Sequence, residues 1–178
     1  MPCIVWNATQ AKQRMLKVNS LLKEFYKRGS VFLWVSLPVV VLDQLTKYIV
    51  KSTLTLGESF PESGFFHFTY VQNTGAAFSI FRDHTFLLSI CSIIGVILLL
   101  YIVFDLSTRI EFLRSLPARI SLGLIMGGTV GNLIDRVSYG YVVDFIDFDF
   151  FATFNVADAA ITIGAVLLAL TYLKMARD

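Results

Sequence analysis

Four apolar runs divide this chain, and they limit its fold more than any other feature. A helix needs roughly 20 apolar residues to cross a bilayer. The composition agrees, because 56% of the residues are hydrophobic and 16% are charged, whereas soluble domains carry about 25% charged residues. We predict an all-α membrane protein with four transmembrane helices and a small extracytoplasmic β element. The predicted spans are Val31–Val50, Phe86–Phe104, Ile120 to about Leu133, and Val156–Leu173.

A basic segment, residues 1–30, precedes the first span and holds six Lys and Arg residues with a single acidic residue. It lacks the apolar core and small-residue cleavage site of a removable signal peptide. Two interpretations remain open, a solvated tail and a short helix on the membrane surface. Such a helix would turn Leu16, Leu21, Leu22 and Phe25 to the lipid. We predict a cytoplasmic tail over residues 1–30 and a four-helix membrane domain over residues 31–178.

The polar segment Lys51–Thr85 contains the predicted β element. Residues Phe66–Val71 alternate between apolar and polar side chains, and alternation with period two is typical of a strand. The sequence Asn73-Thr74-Gly75 that follows predicts a turn.

The basic residues predict the orientation, because cytoplasmic loops are rich in Lys and Arg. The N-terminal segment, the Asp105–Arg119 loop and the C-terminus hold eleven of the fifteen Lys and Arg residues. We therefore expect both termini in the cytoplasm. Ionisable groups inside a membrane indicate function by default. Counted from Val31, Asp43 lies roughly 18 Å into a core about 30 Å thick. All the polar groups in or beside the spans converge on the outer interface: Asp43, Lys47, Asn132, Asp135, Arg136, Asp144, Asn155 and Asp158.

Two helical spacings are informative. Asp43 and Lys47 are four residues apart and can pair, as an aid to insertion or as part of a site. Asn132, Asp135 and Arg136 share one face. Arg136 can hold Asp135 or a substrate carbonyl, and we favour a structural role for Asp135 and substrate binding for Arg136. Small residues at Gly123, Gly127 and Gly131, and at Ala157, Ala160 and Gly164, allow close helix packing.

Asp144 and Asp158 are the candidate catalytic pair. The 14-residue link between them joins the ends of two helices, and Asn155 is a suitable N-cap that places Asp158 in the first turn. Two carboxylates a few ångströms apart share one proton. The ionised group can then activate water while the protonated group polarises an amide carbonyl, which is the chemistry of an aspartic peptidase.

Other chemistries fit less well. We predict no metal and no cofactor, because His67 and His84 are the only histidines and no His-Glu-x-x-His motif is present. The Gly-x-Ser-x-Gly motif is also absent. A Ser–Lys dyad would need a neutral Lys47, which Asp43 opposes. Asp147 is a weak rival to Asp144, and Asp149 is expected in solvent or at the interface.

Two further hypotheses belong to other classes of protein. An ion-coupled transporter would use Asp43 and Lys47 near the midplane, between repeats, whereas the acidic cluster lies at one face and no repeat is evident. A membrane scaffold would tolerate replacement of Asp144 and Asp158. We expect no nucleic-acid partner.

Five blocks of the sequence resemble the lipoprotein signal peptidases (signal peptidase II) of bacteria, in order from about Val31 to Leu173. They are Asp43-Gln44-Leu45-Thr46-Lys47, Asn73-Thr74-Gly75-Ala76-Ala77-Phe78-Ser79, Gly127-Gly128 through Gly131-Asn132 to Asp135-Arg136, Val142-Val143-Asp144-Phe145, and Phe154-Asn155-Val156-Ala157-Asp158.

The resemblance implies an enzyme of the bacterial inner membrane that cleaves diacylglyceryl-modified prolipoproteins just before the lipidated cysteine. It implies that Asp144 and Asp158 are catalytic at the extracytoplasmic face, and that globomycin-type cyclic peptides and membrane lipids are partners. The remaining site residues that it implies bind substrate or support the aspartates: Asn73, Gly75, Asn132, Asp135, Arg136, Asn155, Asp43 and Lys47.

Overall fold

Four long helices form the body of the protein. The structure is a computed structural model that describes residues 8–75 and 85–177, without the side chains of residues 8–11 and 20–28. Cys3, His84 and the Ala76–Ser79 part of the second block lie outside the described residues. The helices are α1 (Ala8–Thr53), α2 (Thr85–Phe104), α3 (Leu116–Tyr139) and α4 (Val156–Met175), and two short 3₁₀ turns, Leu106–Thr108 and Glu111–Arg114, join α2 to α3.

Three segments of the described chain are long and apolar enough to span a membrane: Gly29–Thr53, Thr85–Thr108 and Val156–Met175. They correspond to the first, second and fourth predicted spans. Helix α1 also continues without interruption from Ala8 through Pro38 to Thr53, so the described part of the basic segment is helical. Its division into a separate cytoplasmic tail remains a prediction.

Helix α3 occupies the centre of the bundle and packs against the other three helices. It begins after Ser115, whose side chain accepts from the Ala118 N–H, and it ends at Gly140, which has a φ of 76°. That φ lies in the left-handed region that glycine adopts without steric cost. Because α3 contacts protein rather than lipid over much of its surface, it does not need the apolarity of its neighbours.

The small residues of α3 permit two close contacts. A Cβ added at Gly127 would lie 2.6 Å from Val39 Cβ of α1, and Gly123 and Gly131 also face α1. On the other side, Gly128 lies against Ala157 and Ile161 of α4. Ala157, Ala160 and Gly164 are the buried residues of α4. The predicted role of the small-residue stripes is thus confirmed by the packing of both interfaces.

A four-stranded antiparallel sheet lies at one end of the bundle, in the order β1 (Ser59–Phe60), β2 (Phe66–Asn73), β3 (Val142–Phe148) and β4 (Phe151–Phe154). The predicted strand is β2. The sheet is larger than the sequence pattern indicated, because the link between α3 and α4 adds β3 and β4 to it. In the β2–β3 register Val71 lies opposite Asp144 and Asn73 opposite Val142.

Two apolar clusters lie on either side of the polar centre. One contains Phe32, Leu99, Leu122 and Met126 and lies between the helices. The other contains Val50, Tyr70, Val143 and Phe145 and seals the end of α1 against the sheet. Several polar residues beside these clusters are themselves buried, among them Asp43, Lys47 and Asp135.

Candidate active site

Lys47 is the centre of the buried polar network. Its Nζ contacts Asp43 Oδ2 at 2.8 Å, Asp135 Oδ2 at 3.1 Å and Asn132 Oδ1 at 3.0 Å. An ammonium group has three N–H donors, and here each one has an acceptor. The side chains of Lys47, Asp43 and Asp135 are at most 3% exposed, so these charges depend on each other for compensation.

The two carboxylates that pair with Lys47 also hold the neighbouring backbone. Asp43 Oδ1 accepts the N–H of Ala157 at 2.9 Å, one of the free N–H groups in the first turn of α4. Asp135 Oδ2 accepts the N–H of Val143 at 3.0 Å, directly before Asp144 in β3. One buried lysine thereby joins the two elements that carry Asp144 and Asp158.

Asn132 and Asn155 connect this network to the candidate catalytic pair. Lys47 can only donate, so it binds the amide oxygen of Asn132. The amide nitrogen of Asn132 therefore points away from Lys47. That nitrogen donates to Asp158 Oδ1 at 2.7 Å. Asn155 Nδ2 donates to Asn132 Oδ1 at 3.1 Å and to Asp144 Oδ1 at 2.7 Å.

Asn155 is also the N-cap of α4. Its side-chain oxygen accepts the Asp158 N–H at 2.9 Å, and its own N–H donates to Asp158 Oδ2 at 3.3 Å. This reciprocal capping box places Asp158 in the first turn, where the helix dipole favours a negative charge.

Asp144 is held from the opposite side by Asn73. Asn73 Nδ2 donates to Asp144 Oδ2 at 2.8 Å, and the N–H of Gly75 donates to Asn73 Oδ1 at 2.9 Å. The second bond fixes the orientation of the Asn73 amide. Gly75 therefore contributes through its backbone, at the turn that the sequence predicts.

The surroundings of Asp144 raise its pKa to about 7. Burial is the largest cause, the negative charge of Asp158 is the second, and the hydrogen bonds from Asn73 and Asn155 oppose both. A carboxyl group in such a setting holds its proton near neutral pH. The site can therefore present a protonated Asp144 carboxyl group beside the carboxyl group of Asp158.

Both aspartates line one cavity of about 750 Å³. Arg136 lies on its wall, half-buried, where Asp158 and Asp144 attract it electrostatically. Within residues 8–75 and 85–177, Arg136 forms no ion pair. Its suggested pairing with Asp135 is not observed, since Lys47 and Gln44 occupy that carboxylate. Asn73, Gly75 and Asn132 also line the cavity.

The rival Asp147 lies further along β3, and Asp149 lies in the turn between β3 and β4. Asp147 accepts a hydrogen bond from Thr69 Oγ1 at 2.7 Å. Asp149, whose side chain is 64% exposed, lies 3.1 Å from His67 Nε2. Neither lines the cavity that contains Asp144 and Asp158. Among the described residues, no cluster of three or more His, Cys, Asp or Glu side chains is suited to a metal ion.

Gln44 is a part of the network that sequence reasoning did not single out. Its Nε2 lies 3.0 Å from Asp135 Oδ1, 3.1 Å from the Gly131 carbonyl and 3.2 Å from Asp43 Oδ2. A polar side chain in an apolar span is expected to face protein, and that rule identifies Gln44 as a candidate.

Comparison with known proteins identifies the family. The family model described as "Signal peptidase (SPase) II" matches residues 35–174, which is most of the chain. The chain belongs to the signal peptidase II family. It is therefore a peptidase, as the aspartate pair indicated, and not the transporter or scaffold of the other two hypotheses.

Curated relatives and solved structures agree with this membership. The chain is 51% identical over 146 residues to the lipoprotein signal peptidase of Dehalococcoides mccartyi (strain ATCC BAA-2266), covering 82% of this chain and 91% of that protein. It is 49% identical over 140 residues to that of Trichormus variabilis, covering 77% and 85%. A bacterial membrane enzyme solved by the in meso method at 2.3 Å resolution superposes with a TM-score of 0.72 and 35% identity, covering 82% and 88%. This signal peptidase II family member is thus a membrane-embedded protein with a helical body and a small sheet.

Proposed function

We propose that this peptidase removes signal peptides from diacylglyceryl-modified prolipoproteins by cleaving just before the lipidated cysteine, with Asp144 and Asp158 as its catalytic residues. One observation carries the assignment. Asn155 bonds to Asp144 through its side chain and to Asp158 through its backbone, so both carboxylates face one cavity from neighbouring elements.

The two aspartates have different environments, and these suggest their roles. Both oxygens of Asp158 accept N–H donors, and the residue lies at a helix N-terminus, which supports the ionised form. Asp144 is buried and holds the proton. Asp158 takes a proton from the attacking water while Asp144 donates its proton to the scissile carbonyl oxygen. The resulting tetrahedral diol then breaks down as a proton passes to the leaving nitrogen, without a covalent intermediate.

The other residues position these groups. Asn73 and Asn155 hold Asp144, and Asn132 holds Asp158. Gly75 fixes Asn73, while Asp43, Lys47 and Asp135 fix α4 and β3. Arg136, with no ion pair in the described chain, is available to bind a substrate carbonyl through its planar set of donors.

The same proposal includes the placement in the membrane. Helix α3 is the third predicted span and completes the set of four, because its 24 residues extend about 36 Å among three apolar helices. Four spans leave both termini on one side of the membrane, and the basic residues near them and in the α2–α3 loop support the cytoplasmic side. The proposed membrane is the bacterial inner membrane, with the sheet and the aspartates at the extracytoplasmic face. Membrane lipids surround the helices, and globomycin-type cyclic peptides occupy the cavity as inhibitors.

A cleavage assay with purified protein tests the mechanism. Asp144→Asn and Asp158→Asn each abolish cleavage of a diacylglyceryl-modified prolipoprotein peptide, while both variants keep the thermal transition of a folded protein. Turnover near wild type in either variant contradicts the assignment. The matched control is Asp149→Asn, whose exposed carboxylate lies outside the cavity.

A further inference from the structure

Strand β4 has a free edge beside the cavity that contains the aspartates. The sheet order is β1-β2-β3-β4, so within the described chain β4 pairs with β3 alone. Its four residues, Phe151, Ala152, Thr153 and Phe154, all line the cavity. Successive side chains of a strand point to opposite faces of the sheet. A cavity that contacts four residues in a row therefore runs along the edge of the strand and not only over one face.

The pairing of β4 with β3 is irregular at the same place. Ile146 lies opposite Phe154, and Phe148 lies opposite Phe151. One residue separates these positions in β3 and two separate them in β4, so β4 contains a bulge at Ala152–Thr153. The extra residue of a bulge has no partner in the ladder. The bulge therefore adds backbone polar groups to those that the free edge leaves for another partner.

The opposite edge of the sheet is less suited to accept a strand. Strand β1 has two residues and is followed by Pro61, and short length and proline both discourage the addition of another strand. The sequence of β4, Phe-Ala-Thr-Phe, contains neither proline nor charge. Unpaired backbone N–H and C=O groups are costly away from water. An extended peptide supplies partners for such groups when it adds to a sheet edge.

The direction of β4 determines how an added peptide would run. Phe154 adjoins Asn155, which binds Asp144 and caps α4, so the C-terminal end of β4 lies at the aspartates. Phe151 follows the turn between β3 and β4, about 10 Å further along the strand. All pairs in this sheet are antiparallel, and antiparallel pairing is slightly the more stable. A peptide added antiparallel to β4 therefore runs outward from the aspartates.

We propose that β4 binds the residues that follow the lipidated cysteine of the substrate as an added antiparallel strand. This assignment rests on the proposed function and adds the direction in which the substrate crosses the site. The scissile bond lies beyond Phe154, at Asp144 and Asp158, and the segment after the cysteine pairs with residues 151–154. Because main-chain hydrogen bonds give the affinity in this mode of recognition, the subsite tolerates different side chains after the cysteine.

Ester substitution in the substrate tests the backbone pairing. In a diacylglyceryl lipopeptide, one amide at a time after the cysteine is replaced by an ester, which removes one N–H donor and keeps the side chain. Alternate residues of an antiparallel strand bond to a given neighbour. We expect kcat/KM of the wild-type enzyme to fall about fivefold for alternate esters, as loss of one hydrogen bond predicts, and to stay unchanged for those between them. An ester about eight residues after the cysteine is the matched control, because the four residues of β4 do not reach it.

The outcomes of this scan separate two failures. A uniform effect of the esters, or no effect, overturns the strand pairing when the parent lipopeptide is still cleaved. Failure to cleave the parent lipopeptide, or its cleavage by Asp144→Asn, contradicts the proposed function instead.

Disulfide trapping tests the position and direction of the peptide without turnover. Thr153→Cys or Phe151→Cys is combined with Asp144→Asn, Cys3→Ser and Cys91→Ser. Each variant is mixed with lipopeptides that carry one free cysteine at successive positions after the lipidated one. Directly opposed residues of an antiparallel pair have Cα atoms roughly 4.5–5.5 Å apart, which a disulfide can bridge.

We expect each variant to trap one position several-fold more than its two neighbours, whose side chains point to the other face. The position that Phe151→Cys traps should lie further from the lipidated cysteine than the position that Thr153→Cys traps. The matched control is Phe60→Cys in β1, outside the cavity, which should not crosslink. Equal yields at all positions, equal yields in the control, or the reverse order in the two variants overturns the proposal.

Discussion

Asn155 Nδ2 donates to Asp144 Oδ1 at 2.7 Å, from the position that caps α4. The same residue therefore starts the helix that carries one candidate catalytic aspartate and holds the side chain of the other. Stability and catalysis depend on different atoms of this residue, and substitutions can separate them.

Asn155→Ser keeps a capping oxygen and loses the amide donor to Asp144, whereas Asn155→Ala loses both. We expect both variants to lower kcat about 100-fold, because positioned electrostatic groups contribute on this scale. Only Asn155→Ala loses the capping energy as well, about 1 kcal/mol. Chemical denaturation and a cleavage assay measure the two effects. Equal stability of the variants argues against the cap, and full activity in Asn155→Ser argues against the bond to Asp144.

The rate of cleavage should fall as the pH rises through about 7, since Asp144, whose pKa is raised to about 7, then loses the proton that the mechanism requires. The Asn73 hydrogen bond lowers this pKa, so Asn73→Ala should move the alkaline limb to higher pH. Profiles of kcat between pH 5 and 9, roughly the range that a group of this pKa controls, test both statements. A flat profile for wild type, or a shift in the opposite direction, contradicts them.

The stability of the protein should respond to Asp144 with a defined sign. The folded state holds this proton up to a pH of about 7, whereas the unfolded chain releases it near its ordinary pKa of 3.8. Asp144 therefore costs stability increasingly as the pH rises between these values. The Tm of Asp144→Asn relative to wild type should therefore be higher at the neutral end of this range than at the acidic end. Each kcal/mol of difference in the free energy of unfolding corresponds to about 2–4 °C in Tm. A constant difference across the range would exclude a raised pKa.

Replacing Lys47 with methionine should destabilise the protein by about 3–5 kcal/mol, because two buried carboxylates lose their cation. Lys174→Met, at an exposed position, is the matched control and should change stability by less than about 0.5 kcal/mol. Adding Asp43→Asn and Asp135→Asn to Lys47→Met should restore part of the loss. Thermal unfolding in detergent provides the measurement, and no recovery in the triple variant would show that the pairing of charges is not the cause.

Gly131→Ala should destabilise the protein by about 1–3 kcal/mol through overpacking. The added Cβ would lie 2.5 Å from Asp43 Oδ2, an atom that Lys47 holds in place. At Gly95 in α2 the nearest atom would be Thr129 Cγ2 at 3.9 Å, so Gly95→Ala should be tolerated or stabilising by up to about 1 kcal/mol. Equal effects of the two substitutions on Tm would contradict the close contact at Gly131.

Local patterns in the sequence were sufficient for the elements and for several site contacts. Three apolar runs correspond to helices suited to cross a membrane, and the alternation over Phe66–Val71 lies in β2. The pairing of Asp43 with Lys47 and the cap at Asn155 are also observed. These features involve residues at most four positions apart, or a single periodicity, and they form from nearby atoms.

The link between α3 and α4 was harder to predict from its sequence. Residues 142–154 contribute two strands that pair with β2 and with each other, and strand pairing depends on a distant partner. The same limit applies to Gln44, whose three acceptors come from α1 and α3.

The residue types and their spacing determined by themselves that this chain is helical and apolar, with Asp158 at the start of the last span and Asp144 on the connection before it. Only the tertiary structure decided how those aspartates are held. Lys47 joins Asp43, which binds the first turn of α4, to Asp135, which binds β3 before Asp144. These contacts join residues up to 114 positions apart. They form only when the glycine stripes bring α1, α3 and α4 close enough for buried charges to satisfy one another.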